Sequence, residues 1–252
     1  MIHMTTKDLY AKIVAEFVAL PGIESELSGN VTIRARALTP EEAIGKTERK
    51  DYPILTGKDV MIEAEYKGSF GQAFTDAPAS YFGPLRDILA LPFDTDAHAR
   101  GLLIATINAV LGHMGLCNRM VHCRNDGPKR CGKDVADYIA GQYGDPRLLL
   151  VGYQPSMLEN LSARLSHMRV LDLNPDNIGE TRYGIVVEDG IMERQAAMDW
   201  AELILCTGST VCNGTLGDYL DTGKPTLFYG TTLAGVAALL QLPRLCFADK
   251  YL

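Results

Sequence analysis

The residues best suited to chemistry lie in Cys206-Thr207-Gly208-Ser209-Thr210-Val211-Cys212-Asn213-Gly214-Thr215. This stretch follows the apolar run Ala201–Leu205 and precedes a helical pattern, so it reads as a strand emptying into a helix. The hydroxyls of Thr207, Ser209 and Thr210, the carboxamide of Asn213 and the unobstructed backbone at Gly208 and Gly214 would converge where the helix dipole is positive. The chemistry implied is retention of an anion, because a single helix cap does not need so many donors.

A second group is soft. His113, Cys117, His122, Cys123 and Cys131 fall within nineteen residues, and Asn125-Asp126-Gly127-Pro128 starts a helix over 129–142. His122, Cys123 and Cys131 are candidate ligands for a transition-metal ion. Against this, Cys117-x5-Cys123-x7-Cys131 lacks the paired C-x2-C spacing of structural zinc sites, leaving packing or a reactive thiol as the ordinary reading. In a first helical turn, the Cys131 thiolate would be favoured by the dipole. A third stretch, Gly68 to Pro78, offers Gly68, Ser69, Gly71, Gln72 and Thr75 as a loop able to approach a ligand closely. Its alternative is a turn followed by a short strand.

The elements that position these residues differ between the two halves. Lys7–Leu20 carries Leu9, Ile13, Phe17 and Leu20 at helical spacing before Pro21-Gly22. Strands are predicted over 31–38, from the alternation of Val31, Ile33, Ala35 and Ala37, and over 59–67. A short turn of helix follows Gly83-Pro84. This is a small α+β unit, expected to occupy residues 1–95. The apolar stripe between Asp94 and Gly115 predicts a helix buried between layers.

After Asp145-Pro146, strands and helices alternate. Strands are predicted over 147–152, 168–173, 203–206, 225–229 and 244–247, and helices over 157–166, 195–201, 215–221 and 233–240. The fold class is therefore α/β, with a parallel, helix-covered, Rossmann-like sheet over residues 96–252. Ligands bind such sheets at the carboxyl ends of the strands, beside the switch in strand order. That rule selects the loops bearing Gln154, Asp172, Asn174, Thr207 to Asn213, and Thr231. Asp172 lies twenty residues after Gly152, where a dinucleotide-binding sheet places a carboxylate on ribose. However, Gly152 to Met157 has one glycine, and no G-x-G-x-x-G or G-x-x-x-x-G-K-[ST] occurs, so a cap or turn role competes.

Composition bounds the function. The 252 residues exceed the usual single core of about 100–150 residues, and 47% hydrophobic with 22% charged residues describes a folded chain. A formal charge of −7 argues against nucleic acid, and no apolar run reaches the length that spans a bilayer, so small molecules are the expected partners. Nothing in Met1–Lys7 resembles a signal peptide, and six sparse cysteines do not make a disulfide scaffold, so the expected location is cytoplasmic. A homo-oligomer is open.

Three segments together, Gly68 to Pro78, His122 to Gly132 and Thr207 to Thr215, resemble the bacterial and archaeal heavy-metal chelation domain family, a domain of unknown function. The resemblance implies an N-terminal unit like the small N-terminal domain of enolase, a Rossmann-like C-terminal unit, and an active site where they meet. Two function classes follow. One is a binder of a small anionic ligand or metal chelate in the cleft. The other is an enzyme acting on a small anionic metabolite with a nucleoside-containing cofactor, for which Asp172 or Cys131 would do chemistry. No Ser-His-Asp, H-E-x-x-H or paired-carboxylate spacing supports the second.

Overall fold

The computed structural model describes residues 4–34, 36–56 and 60–250. Helix α1 (Thr6–Val18) is capped by Thr5, whose side chain accepts from Asp8 N, and buries the Leu9, Tyr10, Ile13 and Phe17 face. A short α2 (Ile23–Glu26) leads to β1 (Asn30–Ile33). The strand expected over 31–38 stops early, and its Ala35 lies outside the described residues, as does Asp59 at the start of the next expected strand. Leu38 forms only an isolated bridge with Met61. The physical reason is local: a capping box between Thr39 and Glu42 opens α3 (Pro40–Ile44), and Arg36 clamps the same Glu42 carboxylate.

After α4 (Pro53–Thr56), β2 (Val60–Tyr66) and β3 (Ser69–Thr75) form a hairpin around Lys67 and Gly68, both at positive φ as a two-residue turn of this type requires. Most of the expected ligand loop is thus strand. Then β4 (Tyr81–Pro84) and α5 (Leu85–Ile88) complete the first half, whose antiparallel sheet has the order β3-β2-β1-β4.

Helix α6 (Ala97–His113) is apolar on all sides and buries twelve of its residues, as a helix packed from both faces must. One face lies on β2 and β3. The other meets α10 (Thr210–Asn213) and α11 (Ala234–Leu239). Gly71 makes this contact possible: a Cβ there would stand 2.2 Å from Ala109 N and 2.4 Å from Ala105 O.

The remaining elements are α7 (Gly127–Tyr143), β5 (Leu148–Val151), α8 (Pro155–Ser162), β6 (Met168–Asp172), β7 (Thr181–Arg182), β8 (Ile185–Asp189), α9 (Arg194–Trp200), β9 (Leu203–Thr207), β10 (Thr226–Tyr229) and β11 (Arg244–Leu245). They build a second sheet of order β11-β10-β9-β5-β6-β8-β7, parallel throughout except for the β7–β8 hairpin. That hairpin has no counterpart in the sequence prediction. In addition, the helix expected over 215–221 is replaced by α10, stopped by Gly214, and a 3-10 turn at Leu216–Tyr219. The chain runs from β5 outward through β6 and β8, then returns to place β9 on the other side of β5. The strand order switches there.

The two halves are joined by polar and apolar contacts. The open edge of β3 is covered from the second half: Gln72 N donates to Met120 O, and Phe74 N to Thr232 Oγ1. One buried cluster includes Tyr10, Val31, Leu103, Ile107, Val151 and Phe228, so it extends through both halves, while the opposite face of the parallel sheet packs against α7 and α8. Among the described residues, no helix is long and apolar enough to cross a membrane.

Candidate functional site

A cavity of about 390 Å3 lies at the carboxyl ends of β5, β6, β9 and β10, where the first half closes over the second sheet. Thr75, Gln154, Asp172, Asn174, Thr207, Gly208, Ser209, Thr210, Asn213 and Thr231 line it, and so do His122, Cys123 and Cys131. Gly68, Ser69, Gly71 and Gln72 do not. Gly68 makes the hairpin turn, and Ser69 and Gly71 lie in β3 beside α6. Gln72 is a strut: its Oε1 accepts from His122 N at 2.8 Å and its Nε2 donates to Glu63, which fixes the loop carrying His122 and Cys123.

The Thr207–Asn213 turn is held from behind by α1 and α6. The carbonyls of Val211, Cys212 and Gly214 accept from Tyr10 Oη, Arg100 Nε and Thr6 Oγ1. Within the turn, Gly208 N–H donates to Tyr229 O at 2.7 Å and Thr210 Oγ1 to Thr207 O at 2.7 Å, so these two donors are already engaged. The expected anion seat on a helix dipole is weakened, because α10 is a single turn of four residues. What faces the cavity is a set of neutral groups, with the Ser209 hydroxyl and Asn213 amide the most available. Asn213 Oδ1 is engaged by Thr215. Among the described residues, the wall carries one guanidinium and no ammonium group: Arg194, paired with Asp218.

The loops after β5 and β6 are self-capped. Gln154 Oε1 accepts from Met157 N at 2.6 Å. Asp172 accepts from Tyr153 N at 2.6 Å, Asn174 N at 2.7 Å and Asn177 Nδ2 at 3.3 Å, and Asn174 Oδ1 accepts from Asp176 N. The turn role of Asp172 accounts for its position without a ribose.

Most of the remaining lining is apolar, with Ile44, Tyr52, Ile54, Phe74, Met157 and Leu245, and Asp76 adds a carboxyl group. Burial lowers the basicity of the His122 imidazole, whose Nδ1 lies 2.7 Å from Cys123 O. Burial pushes the thiol of Cys123 up to about 12 and that of Cys131 up to about 11. The dipole-stabilised thiolate expected at Cys131 is therefore corrected: desolvation outweighs one helix end. Among the described residues, no three His, Cys, Asp or Glu side chains are grouped so as to hold a metal ion. His122, Cys123 and Cys131 therefore do not form a three-ligand set in this arrangement.

These two thiols set an alkaline limit. Unfolding returns them toward an ordinary thiol value of 9.0, so the unfolded chain releases protons first. Stability should be level below pH ~9 and then fall toward pH 11 to 12, by up to about 1.4 kcal/mol per pH unit for each thiol. Thermal melts from pH 7 to 10.5 should show this fall, less steep in Cys123→Ala and in Cys131→Ala. An unaltered slope in both variants refutes the assignment.

Three residues that matter here are absent from the sequence reading. Asn108, fully buried in α6, donates to Gln72 O, Thr232 O and Thr231 O and accepts from Gly235 N. It thereby positions the loop after β10. A lone carboxamide inside an apolar helix was the available signal. Arg49 and Tyr52 lie in a stretch without periodicity, which gave none.

Fold and cavity define a two-sheet α/β protein with a small-molecule-sized cleft between its halves. The family model DUF364, described as "Putative heavy-metal chelation", matches residues 134–237. Two solved structures of DUF364 proteins of unknown function are similar in fold. That from Pyrococcus horikoshii has a TM-score of 0.55 at 15% identity, covering 89% of this chain and 79% of the other. That from Desulfitobacterium hafniense has a TM-score of 0.56 at 11% identity, covering 94% and 84%. No curated protein matches the chain.

Proposed function

We propose that the protein binds a small molecule in the cleft, an oxygen-rich polar or anionic end resting on Ser209 and Asn213 and an apolar body against Tyr52, Ile54, Phe74 and Met157. The observation that carries this reading is the asymmetry of one cavity, with hydroxyl and amide groups on the β9 side and mainly apolar side chains on the other. We further propose two units, an enolase N-terminal-like one over residues 1–95 and a Rossmann-like one over 96–252. The family description brings metals into view. Because the described residues offer no ligand set of their own, a metal would enter as a chelate already wrapped by oxygen ligands. The enzyme reading loses its supports, since Asp172 is held by three N–H groups and Cys131 is a neutral thiol.

Calorimetry with citrate, ferric citrate and free ferrous or zinc ion tests the reading. The carboxylate or its chelate should bind and the free ions should not. A hydrogen bond to a charged group contributes about 1.5–3 kcal/mol, so Ser209→Ala and Asn213→Ala should each weaken that binding at least about tenfold. Their Tm should move by no more than about 3 °C. Tight binding of free metal would overturn the chelate reading, and intact chelate affinity with a large fall in Tm in the variants would show the turn to be a helix cap only.

A further inference from the structure

The segment from Gly45 to Leu55 places Tyr52, Pro53 and Ile54 in the wall of the cavity. Among the described residues, the backbone of 47–51 bonds only within the segment, between the Lys46 N–H, which donates to Asn125 Oδ1, and the Tyr52 carbonyl, which accepts from Leu55 N. Its apolar side chains belong to a separate small cluster with Leu38, Ala43, Ile44 and Met61, so its movement need not open either main core. At one end Gly45 has φ 70°, and a Cβ there would stand 2.4 Å from Asn125 Oδ1, a position only glycine fills.

What holds the segment across the cleft is Arg49, together with Asp51, which accepts from the Tyr183 hydroxyl at 3.2 Å, and the Lys46 N–H, which donates to Asn125 Oδ1 at 3.0 Å. The Arg49 guanidinium grips Asp51 in its own segment at 2.9 and 2.7 Å, then reaches Glu159 on α8 and the Tyr183 hydroxyl at the β7–β8 turn. Only one further ion pair joins the segment to the second half among the described residues, the exposed Lys129–Glu48 contact at 3.7 Å. Arg49 also lies over the Tyr52 ring, 5.8 Å from its centroid. Tyr52 is 4% exposed, and its hydroxyl is sealed from solvent with no hydrogen-bond partner among the described residues. A sealed hydroxyl without a partner opposes the closed arrangement that buries it.

We propose that residues 45–55 are a hinged lid over the cavity, latched to the second half by Arg49, and that the sealed hydroxyl of Tyr52 biases the lid toward opening. The latch favours closure and the sealed hydroxyl opposes it, so the free protein samples an open state. This rests on the cavity alone and holds whichever ligand class enters it.

The cavity thiols report the opening without any ligand. Residue-resolved modification by N-ethylmaleimide at pH 8 is followed at Cys123 and Cys131, with buried Cys206 as the control for general loosening. Arg49→Ala and Glu159→Gln should each accelerate modification of Cys123 and Cys131 about fivefold, with Cys206 unchanged. Tyr52→Phe should slow it by about fivefold, because the closed state no longer seals a hydroxyl. Rates unaffected by both latch variants, or Cys206 accelerating in parallel, overturn the lid. Faster modification in Tyr52→Phe overturns the role of Tyr52, since its hydroxyl would then be holding the segment shut.

Discussion

Gly71→Ala is expected to be among the most damaging single-methyl changes in this protein. The added carbon would meet Ala109 N at 2.2 Å and Ala105 O at 2.4 Å, and both are backbone atoms of α6 that cannot rotate away. Relief requires the whole helix to retreat from β3. That retreat pulls Asn108 from Gln72 O and loosens α6 where it also supports α10 and α11. Overpacking usually costs about 1–3 kcal/mol, and a clash against backbone on a buried helix belongs at the upper end or beyond. A loss of about 3 kcal/mol lowers Tm by about 6–12 °C in a chain of this size. The comparison is Gly141→Ala on α7, where nothing lies within 4 Å of the new carbon and Tm should hold or rise. Equal melting temperatures for Gly71→Ala and the unmodified protein would refute the close strand-helix approach.

The same glycine shows where the sequence is legible. Gly68 to Pro78 contains small residues, polar donors and aromatics, the composition of a ligand loop, and of a strand pressed against a helix. Local composition cannot separate the two, because the atom that excludes a side chain from Gly71 lies more than thirty residues away, in α6. The parallel strands at 148, 168, 203 and 226 were legible for the opposite reason: each is a short apolar run between helical patterns, and burial on both faces leaves that trace. The hairpin at 181–189 was not, since β7 has two residues and the apolar run of β8, Ile185-Val186-Val187, ends after three residues at Glu188. Of the cavity, the strand-end loops were reachable from the topological rule. Tyr52 and Arg49 were not, because their segment owes its position to ionic contacts with α8 and the missed hairpin.

Asn108→Ala and Thr106→Val, two residues apart on α6, should have opposite outcomes. Both side chains are fully buried. Asn108 satisfies backbone groups of three segments: carbonyls of Gln72 at 2.8 Å and Thr232 at 3.0 Å, a longer contact to Thr231 at 3.4 Å, and at 2.7 Å the N–H of Gly235 in the first turn of α11, where no intrahelical acceptor exists. Alanine leaves these groups buried without a partner, at about 1–3 kcal/mol each, partly relieved by water entering the space of the lost amide. A net loss of about 3–5 kcal/mol is expected, with the Gly230–Thr232 wall of the cavity released from α6. Thr106 Oγ1 has no hydrogen-bond partner among the described residues, so valine removes an unsatisfied hydroxyl at nearly constant volume. Its Tm should stay level or rise. Chemical denaturation of both variants decides: if Thr106→Val is destabilised as much as Asn108→Ala, the polar tie between the halves is not what Asn108 provides, and α6 merely resists any change in its packing.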